Sequence, residues 1–183
     1  MKIAIIPLAL AFASTAAMAA PATGTINFYG AVTDGGPCPI EVVDPDSGVP
    51  ARVELGHPYT SHFKNVGDKT EPRQFALKIT PNSECSIPSG TEVDVTFNAV
   101  GSPVGPANDL FPLVAGDTST PDLAISIRDK TDTRLAPGET SARYLLDELA
   151  PTLMLFSAHY EAISTPVKEG SALANVNFVV NLP

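Results

Sequence analysis

The stretch Gly24-Thr-Ile-Asn-Phe-Tyr-Gly-Ala-Val32 decides how the rest of this chain is read. In an extended strand successive side chains point to opposite faces. Ile26, Phe28, Gly30 and Val32 therefore share one face, and Asn27, Tyr29 and Ala31 share the other. A glycine within an apolar row leaves a notch that a bulky side chain from another surface can fill. Taken alone, the same pattern also suits an ordinary first strand of the chain's own domain.

Upstream of this stretch, residues 1–19 read as a secretory signal. Lys2 supplies the positive start, Ile3 to Ala17 is apolar apart from Ser14 and Thr15, and Ala17-Met-Ala19 has the small-x-small form of a cleavage site. The mature chain is expected to begin at Ala20. The apolar run is short for a bilayer and is interrupted by Pro7. The length that follows suits one domain with a core of its own. Acidic residues outnumber basic ones, 20 to 11. That balance argues against nucleic acid or an anionic membrane as a partner. The carboxylates are scattered, as on a solubilising surface. Export also bears on the two cysteines, Cys38 and Cys85, which are expected to pair in an oxidising compartment. Neither is flanked by residues in a metal-binding or catalytic spacing.

Downstream, 18 prolines and 13 glycines cut the chain into short pieces, the punctuation of an all-β protein. Candidate strands are 25–33, 40–43, 51–55, 73–80, 92–99, 123–128, 153–163 and 173–182. Val93, Val95 and Phe97 alternate with polar residues, as do Phe75, Leu77 and Ile79 with their neighbours. Residues 44–48, 81–83, 101–106 and 136–138 read as turns or loops. One segment, 141–150, has Tyr144, Leu145 and Leu149 at helical spacing, with Pro151 to stop it. Strand number and spacing point to a two-sheet sandwich of immunoglobulin type, without the tryptophan of the antibody core.

Signals for chemistry are sparse. The three histidines, His57, His62 and His159, are dispersed, and no Gly-x-Ser-x-Gly elbow or glycine-rich phosphate loop is present. His159 and Glu161 share a strand face; such a pair could hold a metal, but it reads as a solvent-exposed polar pair. Asp129, Lys130, Asp132 and Arg134 read as a charged hairpin turn. No catalytic residue, metal or cofactor is expected.

In order along the chain, the landmarks resemble those of chaperone–usher fimbrial subunits of the type 1 kind. They are Gly24-x-Ile-x-Phe-x-Gly-x-Val32, then Cys38, Val53-Glu-Leu-Gly56, Phe75 ahead of Cys85, and Ile125-Ser-Ile-Arg-Asp129. Phe156-Ser-Ala-His-Tyr160, Thr165-Pro166 and Gly170-x-x-x-Ala174 complete the series before the final apolar alternation. The chain departs from the family pattern at Leu182, where an aromatic is usual. The resemblance implies an incomplete immunoglobulin-like β-sandwich, residues 37–183, that lacks its final strand. It also implies an N-terminal donor-strand extension, residues 20–36, inserting through Ile26, Phe28, Gly30 and Val32. The acceptor groove would be lined by Val176, Phe178, Val180 and Leu182 of the C-terminal strand. Implied partners are a periplasmic pilus chaperone, an outer-membrane usher and neighbouring pilus subunits, with a host receptor as a further partner. The implied route runs through the periplasm to a cell-surface fimbrium. A secreted carbohydrate-binding module or tip adhesin is the alternative from another functional class.

Overall fold

Period-two alternation builds both layers of the domain. The computed structural model describes residues 38–182. The signal reading of 1–19 and the extension bearing Ile26, Phe28, Gly30 and Val32 lie outside the described residues. Among the described residues there are nine strands: β1 (Ile40–Val43), β2 (Arg73–Ile79), β3 (Glu92–Ala99), β4 (Phe111–Pro112), β5 (Leu123–Arg128), β6 (Arg134–Leu135), β7 (Tyr144–Leu145), β8 (Thr152–Ala162) and β9 (Val176–Asn181). Among the described residues the only helical element is a 3-10 turn at Thr60–His62. One sheet runs β1-β2-β8-β5-β4, with β6 also on β5; the other runs β7-β3-β9. All strand pairs are antiparallel.

The core lies between the sheets. Phe75, Leu77 and Ile79 of β2 and Val93, Val95 and Phe97 of β3 are buried, as their alternation predicts. Phe156 sits at the centre of an aromatic group. Its ring centroid lies 5.6 Å from Phe75, 4.9 Å from Phe97 and 5.4 Å from Tyr144. Aromatic pairs at these separations contribute beyond the area they bury. A disulfide joins Cys38, just before β1, to Cys85, beyond the end of β2, across 47 residues. On the chain-entropy model, closing a loop of that length stabilises the fold by about 4 kcal/mol.

Three expectations are corrected. The segment 141–150 is not helical. β7 pairs with Glu92 and Val93, Tyr144 and Leu146 are buried, and Leu145 is 63% exposed. The working period is therefore two, and Leu149 points to solvent. The expected strand 51–55 is not formed: beyond a Pro50–Val43 bridge and the Ala51 amide on the Val42 carbonyl, residues 53–55 join no ladder among the described residues. A β-strand is defined by its partner, and alternation alone does not supply one. The last strand begins at Val176, because Ser171 and Leu173 give their carbonyls to Thr120 and Val114 instead of to a sheet. The two-residue strands β4 and β6 were not anticipated.

Candidate functional site

Among the described residues, the C-terminal strand has a ladder partner on one side only. β9 pairs with β3 in the register Val176↔Ala99, Phe178↔Phe97 and Val180↔Val95. Its other edge carries no ladder among the described residues. Val176, Phe178 and Val180 pack against the core, yet each is only half-buried. Asn175, Asn177 and Asn181 face outward. The Asn181 amide donates to Asp94 Oδ1 at 2.7 Å and to Thr96 Oγ1 at 3.2 Å. Leu182 lies past the strand end and is 41% exposed. The other sheet ends in β1, whose Ile40 and Val42 are likewise half-buried against the core, as is Leu55 further along the chain. Two terminal strands thus present apolar side chains inward without covering them. An unpaired edge above an open apolar face is a template for another strand.

Several contacts fix where β9 starts. The Asp122 carboxylate accepts the Ser164 hydroxyl and the Lys168 amide, and its carbonyl accepts the Ile163 amide at 2.8 Å. The Ser164 hydrogen bond, aided by the Lys168 amide, holds this carboxyl below the usual range. Next, the chain runs against the 114–120 loop. Ser171 donates to the Thr118 carbonyl at 2.6 Å, and the Ser171 carbonyl accepts from Thr120 at 3.0 Å. A Cβ on Gly170 would stand 2.7 Å from both Thr118 O and Thr120 N, so only glycine permits this approach. Tyr160 then donates to the Ala172 carbonyl at 2.7 Å. Ala172 and Ala174 continue the half-buried row into β9.

The sheets are clamped together away from this edge. Tyr144 of β7 donates its hydroxyl to the Leu155 carbonyl of β8 at 2.6 Å, and burial pushes that hydroxyl up to about 12. Asp129 holds the turn after β5. Its carboxylate accepts the amides of Thr131, Thr133 and Ala142 and the Thr131 hydroxyl. The reading of 129–134 as a charged turn therefore holds, with Asp129 as its buried hub.

The reading of His159 and Glu161 as solvent-exposed is wrong: they are 3% and 7% exposed. Both point away from the core, and Glu161 there meets Lys69 and Arg134. Arg134 bonds Glu161 at 2.6 Å and Asp109 at 2.5 Å. His62 Nε2 lies 2.8 Å from the Lys69 carbonyl, and His57 is exposed. Among the described residues no three His, Cys, Asp or Glu side chains come together to hold a metal.

Sequence reasoning did not single out Ile40, Val42, Leu55, Ala172 or Ala174 as lining residues. The signal for the last two was present, since the alternation of β9 runs back through Ala174 and Ala172.

The chain matches the family model described as fimbrial protein over residues 26–182. Long polar fimbria protein A of Salmonella typhimurium is 33% identical over 174 residues, covering 93% of this chain and 90% of that protein. A probable major fimbrial subunit of Escherichia coli O157:H7 is 28% identical over 178 residues, covering 97% and 94%. Among solved structures, the P pilus rod subunit PapA superposes with a TM-score of 0.59 at 15% identity, over 81% of this chain and all of that one. A chain from a chaperone–usher pilus gives 0.59 at 20% identity, over 92% of this chain and all of its own. These structures share the immunoglobulin-like pilin fold.

Proposed function

The chain belongs to the fimbrial protein family, structural subunits of a cell-surface pilus, and from that premise we propose that it polymerises by donor-strand exchange. The extension 20–36 of one subunit lies along the open edge of β9 in the next. Ile26, Phe28 and Val32 enter the cleft lined by Val176, Phe178, Val180 and Leu182, with Ile40 and Val42 opposite. Gly30 leaves a notch in the inserting row that a bulky side chain of the acceptor fills. The burial of Ile26, Phe28 and Val32 contributes about 5–9 kcal/mol before ordering costs are subtracted. Each subunit is donor to one neighbour and acceptor to another. The contact is heterologous and does not close, so it propagates as a fibre.

Before assembly the same edge needs a cover, because an exposed apolar strand edge aggregates. A periplasmic chaperone that lends its own strand supplies it. The outer-membrane usher is where the lent strand is exchanged for the extension, after a signal at residues 1–19 has directed export.

A single observation carries this reading. β9 has a regular apolar inner row that stays half-buried and an outer edge without a ladder among the described residues. The test is Gly30→Leu. The variant subunit should still fold with its chaperone, since the extension is no part of its own core, and should fail to enter a neighbour, leaving fibres short or absent. Polymerisation at the wild-type rate would return residues 24–32 to the chain's own domain.

A further inference from the structure

Charge is buried on the outer face of the large sheet, on the opposite side from the cleft. Ser126 of β5 and His159 of β8 are direct partners in their ladder. Both point away from the core-facing Ile125, Ile127 and Tyr160. Ser126 is fully buried and His159 is 3% exposed, and among the described residues neither Ser126 Oγ nor His159 Nε2 has a hydrogen-bond partner. An unpaired polar atom at that depth costs free energy.

The ionisable groups facing His159 come from every element around it. On its own strand, Glu161 Oε2 is 3.8 Å from Nε2. From β6, Arg134 holds that same oxygen at 2.6 Å and reaches Asp109 in the β3–β4 loop. From the segment before β2, Lys69 stands 3.9 Å from Glu161. From β5, Arg128 adds a cation that is paired with Asp132 at 3.4 Å. Three cations thus surround a neutral imidazole, and the nearest carboxylate is already taken. Burial first, then Lys69, hold His159 below the ordinary histidine value of 6.5, while Glu161 pulls the other way.

Arg134 is the staple of this group, joining the β3–β4 loop to β8. The loop closes on itself through paired bonds between Val104 and Leu110, and Leu110 is 1% exposed although it lies outside the main core cluster. We propose that His159 and the Glu161–Arg134–Asp109 chain form an acid-sensitive latch on the loop Gly101–Leu110. Neutral His159 leaves Glu161 to Arg134, and the loop stays down. A proton taken from solvent at Nε2 gives His159 a donor aimed at Glu161 Oε2, in competition with Arg134. The added positive charge also faces Lys69 and Arg128. The chain to Asp109 weakens and the loop loosens, with the cleft on the inner side untouched.

The direction with pH follows from linkage. The folded state binds this proton less readily than the unfolded chain does. The stability held by neutral His159 is fully present above about pH 6.5 and falls as the pH drops below it.

The test is amide hydrogen exchange of the full chain in its assembled or chaperone-bound form, corrected for the intrinsic effect of pH. Between about pH 7.5 and about pH 5, protection of 101–110 should fall about ten-fold while that of β3 and β9 holds. In His159→Gln, which cannot take the proton, protection should be flat with pH. An equal fall in the variant, or none in wild type, overturns the latch. Exchange at the imidazole carbon of wild-type His159 supplies a second measurement that requires no variant to fold. A midpoint at or above about 6.5 would overturn the proposal as well.

Discussion

Strand β8 is hydrogen-bonded along its length, to β2 over Thr152–Ala158 and to β5 over Ser157–Ala162. β9 has the more regular alternation of the two, Val-Asn-Phe-Val-Val-Asn, and a ladder on one side only among the described residues. Their inner rows fare differently. Met154, Phe156, Ala158, Tyr160 and Ala162 of β8 are all buried, whereas Val176, Phe178 and Val180 of β9 remain half-buried. Alternation identifies which face of a strand is apolar; whether that face is covered depends on what lies beside and above it. The proposed donor-strand exchange rests on this half-covered row.

Substitutions that separate the two strands probe this difference. The largest effect is expected at the centre of β8. Phe156→Ala removes the ring that meets Phe75, Phe97 and Tyr144. It should cost about 3–5 kcal/mol, as large-to-small core changes do, measured by urea unfolding of the dilute subunit freed from its chaperone. A loss comparable to that of a surface change would mean that the two sheets do not share one core.

Next in size is the disulfide, which ties the segment entering β1 to the end of β2. Replacing Cys38 and Cys85 together with serine should cost about 2–4 kcal/mol. Unreduced, unfolded wild-type protein should show almost no free thiol, and two thiols per chain would contradict the bond.

The smallest effect in the isolated subunit is expected at β9. Phe178→Ala should cost about 1–2 kcal/mol there, because the side chain is only half withdrawn from water and leaves a correspondingly smaller cavity. Within the fibre the loss should rise toward that of Phe156→Ala. Equal losses for the two phenylalanines in the uncovered subunit would remove the distinction between the strands.

Much of this was legible in the residues. Strands β1, β3 and β5 fall on the boundaries that their apolar alternation and flanking turns indicate. The inner faces of β2 and β3 were readable for the same reason. The failures share a cause, in that each depends on a partner far along the chain. Tyr144 and Leu145 mimic helical spacing until Glu92 and Val93 pair with them. Val53 and Leu55 alternate like a strand but find no ladder among the described residues. His159 and Glu161 look like an outward polar pair until Arg134 of β6 and Asp109 of the β3–β4 loop arrive. Leu173 reads as part of the last strand until its carbonyl is taken by Val114. The apolar row of β9 was plain in the sequence, but its partial exposure required the fold.

The most direct test of the account is to offer the chaperone-held full chain a synthetic peptide of residues 24–33, beside a second peptide carrying Gly30→Leu. The native peptide should displace the chaperone, remain bound, and protect the free-edge amides of Val176–Asn181 from exchange; the Gly30→Leu peptide should do neither. Failure of the native peptide to bind, or equal binding of both, would contradict the assignment of β9 as the acceptor and of residues 24–33 as its missing neighbour.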